Sequence, residues 1–524
     1  MSPDCEQALN QIKKWIETCT KEHASCKSVS SSRPLPKRVL DVQDSLLYPK
    51  KVFLYEPESD EMGSYTALSH CWGDQTTKPL LKTTRSTMRS HQRGITCLGL
   101  SKTFRDAIAI TQKLGIRYLW IDSLCIIQDD QEDWELEATK MSSVYGNAYL
   151  VLAATAAADG DVGCFFPRPN FREVKVFKNT ILARIYPGED HHYFAIGRSP
   201  RPPLFSRAWA CQERLLATRT LNFCTKEMVW ECKAATWCEC QSDAWELGSR
   251  AKPTIKEVIN KFSRGGQNPY EAIQAWARVL RVFSRCALTH DSDRLPAFAS
   301  LAAHFAASAK LGQYFAGLWE EFLIDGLQWR VTNALLGPQQ EPSRRPSTYC
   351  APSWSWASVA SASIGPPHWY IFGQEFIGHT QRAKIISVDC VLSNSEALFG
   401  AVSSAELSIR GVLIPATFDP AKSKIRDFGY NATLDLKGDL IVVDFDVRIS
   451  GTEAETYYCF WLDTSYWPGN PGPREEEHIL ILEKNADPRC TYRRVGILSL
   501  VQKDLSKRWF EEASKEKEET ITIL

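Results

Sequence analysis

The sequence has no charge imbalance: 62 Lys and Arg stand against 62 Asp and Glu, a formal net charge of zero. Bulk attraction to nucleic acid or anionic lipid rests on excess positive charge, so no nucleic-acid partner is expected. Long apolar runs are also missing. The longest, around residues 149–158, is about half of the roughly 20 residues that a membrane-crossing helix needs, so no membrane span is expected. The opening residues MSPDCE carry no basic stretch followed by an apolar one, and no secretory signal is read from them. There is no GxxxxGK[ST] and no GxGxxG, which argues against ATP or GTP hydrolysis and against Rossmann-type hydride transfer. Cysteine and tryptophan, by contrast, are abundant, at 17 each in 524 residues. An odd cysteine number in a long chain without an export signal points to a reducing cytoplasmic setting, with most thiols free and buried.

Periodicity gives the organisation. Residues 6–20 repeat Leu9, Ile12, Trp15 and Ile16 at helical spacing, and a Ser/Pro-rich connector follows at 28–36. Short strands are expected at 52–55, 65–70, 118–121 and 149–154. Ser101 is the expected N-cap of a helix through Leu114, with Gly115 at its C-terminal stop, and a second helix covers 132–145. Strands alternating with helices of this length suggest βαβ units and a parallel sheet. A helix over 206–217 precedes strands at 220–223 and 228–231. Residues 255–310 read as mostly helical. From residue 385 onward short strands dominate.

Ligands of doubly wound sheets bind outside the carboxyl ends of the strands. Asp122 and Ser123 follow one expected strand, and His70 and Trp72 end another, so the four are expected to share a crevice. Trp72 or Trp120 would there stack on a flat ring. The competing reading is structural, with Asp122 capping the following turn and both tryptophans in the core. Arg207 opens the helix at 206–217, where an arginine beside a helix N-terminus can hold phosphate or pair with an acidic neighbour. Cys125 with His70 and Asp122 would make a nucleophilic set, but Leu-Cys-Ile-Ile around it reads as packing. Two cysteine groups, Cys19-x3-His23-x2-Cys26 and Cys232, Cys238, Cys240, offer three ligands each. Structural zinc takes four. No metal is assigned, although the two groups could combine in space.

Three blocks of the chain resemble fungal heterokaryon-incompatibility (HET) domains. They are YTALSHCWG at 65–73, the stretch 103–154 centred on RYLWIDSLCIIQDDQEDW, and RAWACQERLL at 207–216 continuing to WEC at 230–232. WIETCTKEHASC at 15–26, DSDRLPAFASLA at 291–302 and APSWSWASV at 351–359 extend the likeness. His70 stands where the family often carries an aromatic residue. HET domains are in turn similar to TIR domains, flavodoxin-like modules of innate immunity. Some of these cleave NAD at the nicotinamide–ribose bond with a glutamate in a Trp-Cys-x-x-Glu-like helical context. The resemblance implies that Trp209-Ala-Cys-Gln-Glu213 is that helix. Glu213 would then be the catalytic residue, its carboxylate stabilising an oxocarbenium-like ribose, and His70, Trp72, Asp122, Ser123 and Arg207 would bind the substrate. Otherwise Glu213 is an ordinary helix glutamate, solvated or paired with Arg207 or Arg214.

What the resemblance implies for the fold is a flavodoxin-like, TIR-related α/β parallel sheet with helical insertions. The HET domain would span 46–240, after an N-terminal helical segment and linker at 1–45. A mainly helical region at 241–370 and a β-rich C-terminal module at 371–524 would follow. The implied role is non-self recognition leading to programmed cell death, carried out by an NAD glycohydrolase that uses NAD as substrate and no cofactor. Two other classes stay open. One is a non-enzymatic module acting by self-association or with an allelic incompatibility partner. The other is a small-molecule enzyme of natural-product biosynthesis, such as a cyclase or isomerase, whose pocket the tryptophans would line.

Overall fold

A strand buried on both faces must be covered by helices on both, and the sequences of three strands here leave no polar face to solvent. Tyr65–Ser69, Tyr118–Trp120 and Leu150–Ala153 are buried at every position. The computed structural model describes residues 6–29, 32–43, 51–167, 172–176, 179–183, 201–239, 255–262, 268–332, 342–360, 363–365, 378–420, 431–436, 439–449, 453–468, 474–500 and 517–524. The chain divides into two compact units, Met1–Ser263 and Arg264–Leu524.

The first unit is built on a nine-stranded sheet. In chain order its strands are β1 (Val39–Asp41), β2 (Lys51–Tyr55), β3 (Tyr65–Ser69), β4 (Ile95–Thr96), β5 (Tyr118–Trp120), β6 (Leu150–Ala153), β7 (Arg219–Phe223), β8 (Met228–Cys232) and β9 (Thr236–Cys238). Their spatial order is β9-β8-β7-β6-β3-β5-β1-β2-β4. The centre is parallel: β3 pairs β5 with Ala67 opposite Trp120, β3 pairs β6 with Ser69 opposite Ala153, and β6 pairs β7 with Ala153 opposite Asn222. Counted along the chain, these four parallel strands lie in the order 2-1-3-4. Antiparallel strands extend both edges, β1 on β5 and β8 on β7.

Helices close the faces. α1 (Glu6–Glu22) buries Ile12, Trp15, Ile16 and Cys19. α2 (Lys102–Lys113) starts where Ser101 Oγ accepts from the Phe104 amide, and it ends at Gly115, whose φ of +72° suits glycine. Its Phe104, Ala107, Ile108 and Thr111 are buried. α3 (Gln131–Asn147) is capped by Asp130. α4 (Ala208–Leu216) and α5 (Ile255–Phe262) follow. Helical insertions were expected. One is the short helix Met88–Gln92 between β3 and β4. In the long connection from β6 to α4 the described residues include an antiparallel hairpin, Arg172–Val176 against Asn179–Ala183, and residues 184–200 lie outside the described residues.

In the second unit α6 (Pro269–Phe283) and α7 (Pro296–Ser308) pack an aromatic cluster in which Trp276 meets Phe298 at 4.8 Å and Trp319 at 5.3 Å. Trp356, from the SWSW stretch, donates to the Gly317 carbonyl at 2.9 Å. Gly317 has a φ of +104°, and a Cβ there would fall 2.5 Å from the same indole. The β-rich tail closes on itself. Its strands are β10 (Gly378–Gln381), β11 (Lys384–Leu392), β12 (Val402–Gly411), β13 (Leu413–Phe418), β14 (Asn431–Leu436), β15 (Asp439–Phe445), β16 (Glu455–Trp467), β17 (Arg474–Lys484), β18 (Tyr492–Leu500) and β19 (Glu519–Ile523). Going round, β16 pairs β13, β13 pairs β14, β14 pairs β15, β15 pairs β18, β18 pairs β17, and β17 returns to β16. This six-stranded barrel removes the edges that an open sheet would expose. Ile414, Phe418, Val443, Trp461, Ile479 and Ile481 fill it.

Candidate functional site

The order of the parallel strands reverses at β3, and connections from β3 and β6 leave toward opposite sides of the sheet there. Ligands of open α/β sheets bind at such a point, beyond the carboxyl ends of the strands. At this point β3 ends in Ser69, and the chain continues through His70, Cys71 and Trp72 to Gly73 (φ +72°). Ser69 Oγ donates a short hydrogen bond to the Glu213 carboxylate. Tyr145 of α3 also interacts with that carboxylate, and its hydroxyl donates to the Leu68 carbonyl at 3.1 Å. Arg207, the N-cap residue of α4, donates from Nη1 to the His70 carbonyl.

Asp122 opens a single helical turn after β5. It accepts from Trp72 Nε1 at 2.8 Å and from the Ser123 amide at 2.7 Å, and His70 Nδ1 stands 3.8 Å from it. The structure thus links Glu213 to Ser69, the neighbouring His70 to both Arg207 and Asp122, and Asp122 to Trp72. Ser123 touches the set through its amide. Its buried hydroxyl has no protein partner. Trp120 is buried in the core, and Cys125 is buried with its thiol near the Ile121 amide. Burial pushes the Cys125 thiol up to about 12, so it is a poor nucleophile.

Burial dominates the electrostatics. Glu213 is 4% exposed and His70 2%. Burial pushes the Glu213 carboxyl up to about 7. Arg207 and the Ser69 hydrogen bond pull against it, and the Asp122 charge adds to it. His70 goes the opposite way, down to about 4, because burial disfavours its cation and Arg207 repels it, while Asp122 opposes. At neutral pH the imidazole is therefore uncharged, and the glutamate sits near its midpoint, where proton transfer is easiest in both directions. Trp72, Asp122 and Arg207 are half-buried and form the outer side of the set. Lys82 Nζ lies 4.8 Å from the centre of the Trp72 ring.

Arg214, the other partner weighed for Glu213, belongs to a different group. It makes a two-pronged bond to buried Glu231 at 2.8 and 2.7 Å, and Asn222 joins at 3.2 Å. The acidic run at 129–133 is structural too. Asp133 meets Arg38, Lys37 and the Ile127 amide, which outweigh its burial and hold its carboxyl down at about 2. Sequence reasoning missed Ser69 and Tyr145. Ser69 was visible as the only hydroxyl at the end of an otherwise apolar strand end, Ala67-Leu68-Ser69, whereas Tyr145 looks like any aromatic on a packed helix. Away from this site, the ligand atoms of Cys19, His23, Cys26 and Cys232 gather within 4.8 Å of one another.

Residues 65–213, from the first residue of β3 to Glu213, match the family model described as heterokaryon incompatibility protein (HET). The chain carries a HET domain. Heterokaryon incompatibility protein 6, OR allele, of Neurospora crassa is 27% identical over 132 residues, which are 24% of this chain and 19% of that protein. The chain thus spans about a fifth of the length of that curated relative. No solved structure matches. The switch-point cluster lies inside the HET domain except at no position: Ser69, His70, Trp72, Asp122, Ser123, Tyr145, Arg207 and Glu213 all fall within residues 65–213. Among the described residues, no helix is long and apolar enough to cross a membrane.

Proposed function

We propose that this HET domain serves fungal non-self recognition in the cytoplasm and triggers cell death by hydrolysing NAD to nicotinamide and ADP-ribose at a TIR-like site. The observation that carries the reading is Glu213, a buried carboxyl raised to about 7, at the carboxyl ends of parallel strands ordered 2-1-3-4. That is the flavodoxin-like order, with its ligand site at the switch point. It supports kinship with TIR domains, whose glutamate the resemblance maps to Glu213.

The chemistry follows from charge. Cleavage breaks the ribose C1–N bond, and neutral nicotinamide departs with the bonding electron pair. The remaining ribosyl cation is stabilised by the ionised Glu213 carboxylate. Water then adds at C1, and Glu213 accepts its proton. Trp72 supplies a flat face for a ring, and Arg207 a positive charge for the pyrophosphate. Because Glu213 is buried, NAD reaches it only when the Trp72 and Arg207 side moves, and association of protomers is the natural trigger for that movement. The test is release of nicotinamide from NAD by the purified chain, free and tethered into assemblies. Loss of that release in Glu213→Gln, with the fold intact, is the expected outcome.

One observation favours a second reading. Glu213 is bonded by Ser69 and Tyr145 inside the fold, as a residue that only joins α4 to the sheet would be. The domain would then signal by assembly alone, and killing would persist in Glu213→Gln.

A further inference from the structure

Cysteines that gather in a reducing interior are packing, a disulfide or a metal set, and the geometry of the sulfur atoms separates the three. At the antiparallel edge of the first unit, Cys19, His23, Cys26 and Cys232 bring their ligand atoms within 4.8 Å of one another. The three cysteines are buried, and His23 is half-buried. With zinc–sulfur bonds of about 2.3 Å and zinc–nitrogen bonds of about 2.0–2.1 Å, the edges of a tetrahedral site run roughly 3.5–3.8 Å. His23 Nδ1 lies 3.2 Å from Cys232 Sγ, close to such an edge. All four cysteine and histidine ligands are of the type zinc prefers, and a Cys3His set is closed, with no position left for substrate.

The surrounding chain is shaped around the same point. Cys19 is in the last turn of α1. The His23 amide bonds the Cys19 carbonyl at 3.2 Å, and the Cys26 amide bonds the His23 carbonyl at 2.9 Å, so a tight turn wraps three ligands together. At the end of β8 the amides of Ala234 and Ala235 both point at Cys232 Sγ, at 3.4 and 3.3 Å. Amides donated to sulfur stabilise a thiolate rather than a packed thiol. Arg219 brings a positive charge beside the cluster and holds the Cys26 carbonyl at 3.1 Å and Thr20 Oγ1 at 3.0 Å. Trp237 lies against the His23 ring at 5.3 Å and fixes its plane. A disulfide would satisfy two sulfurs and leave the third thiol and the imidazole unexplained, and Cys19, Cys26 and Cys232 are in no disulfide.

We propose that Cys19, His23, Cys26 and Cys232 bind one structural zinc ion that fastens α1 to the β8 edge of the sheet. The fourth ligand, which neither cysteine group offered by itself in the sequence, is Cys232, 209 residues from His23. Cys238 takes no part: it packs with Cys71, Cys224 and Val229. Cys240 lies outside the described residues. The ion would reinforce a contact already begun by Trp15, whose ring is 6.3 Å from that of Trp230. It would make the N-terminal helix a part of the HET-bearing unit rather than a leader to it.

The full chain, purified without chelator, should contain about one zinc per molecule by elemental analysis. Cys19→Ser and Cys232→Ser should each bring that content to about zero, while Cys238→Ser leaves it unchanged. If the serine variants fail to fold, cobalt exchange of the wild type decides: it should give the intense d–d bands of a tetrahedral site together with thiolate charge transfer. Three results would each overturn the proposal. They are a wild-type protein that is zinc-free and takes up neither added zinc nor added cobalt, zinc retained in full by both serine variants, and a mapped disulfide joining any two of the three cysteines in freshly purified protein.

Discussion

Glu213→Gln should stabilise the protein at alkaline pH and leave it unchanged in acid. Glutamine has nearly the shape of a protonated glutamate, so packing around Ser69 and Tyr145 is kept. The folded carboxyl sits at about 7 against an ordinary 4.5. Between those values the native state holds a proton that the unfolded chain has released, so wild-type stability falls as pH rises through this window. Raising a carboxyl that far costs ~3 kcal/mol once it is fully ionised. His70 works with the opposite sign. Lowered from 6.5 to about 4, it binds fewer protons folded than unfolded, and stability rises with pH between those values. The two largely cancel in the wild type, and their separation needs the variant. Subtracting the wild-type profile from that of Glu213→Gln isolates the glutamate. The difference should start near zero at about pH 4.5 and grow to ~3 kcal/mol by about pH 8. For a unit of this size that is roughly 6–12 °C in Tm. Urea unfolding followed by tryptophan fluorescence across that range measures it. A flat difference, or a variant less stable than wild type at about pH 8, would mean that Glu213 is held ionised by Arg207, and the electrostatics described above would be wrong.

Other outcomes follow from the same contacts. Tyr145→Phe removes a hydrogen bond that lowers the Glu213 carboxyl, so the pH midpoint of any NAD cleavage should move up, and stability should fall by about 1–3 kcal/mol in thermal melts. Arg214→Met leaves Glu231 buried without its two-pronged partner and should cost about 3–5 kcal/mol by denaturant unfolding, while nicotinamide release per folded molecule is preserved. Ile479→Ala opens a cavity in the C-terminal barrel and should cost about 2–5 kcal/mol, appearing in limited proteolysis as earlier cleavage of the second unit.

Much of the sheet was legible because each central strand is short, apolar and followed by its own helix signal. Ser101 and Gly115 mark the ends of α2 where the structure has them, and 65–70, 118–121 and 149–154 are the parallel neighbours β3, β5 and β6. The position of the strand-end candidates was legible for the same reason, since strand polarity alone puts His70, Trp72, Asp122 and Ser123 at one end of the sheet. What stayed hidden depends on pairings between distant segments. Val39–Asp41 is too short to announce a strand, yet β1 joins β5. The tail read as separate strands, because closing the barrel needs β17 to bond β16 on one side and β18 on the other. Ser69 meets Glu213 across 144 residues, and no spacing rule reaches that far.

The most direct measurement is the conversion of NAD to nicotinamide and ADP-ribose by the purified chain, with protomers fused to an oligomeric scaffold so that a site silent in the free protein is engaged. The account predicts release of nicotinamide that Glu213→Gln reduces by about 10²–10³, with melting behaviour showing the variant folded. Unchanged NAD in the tethered wild type, or equal release by wild type and Glu213→Gln, would contradict it.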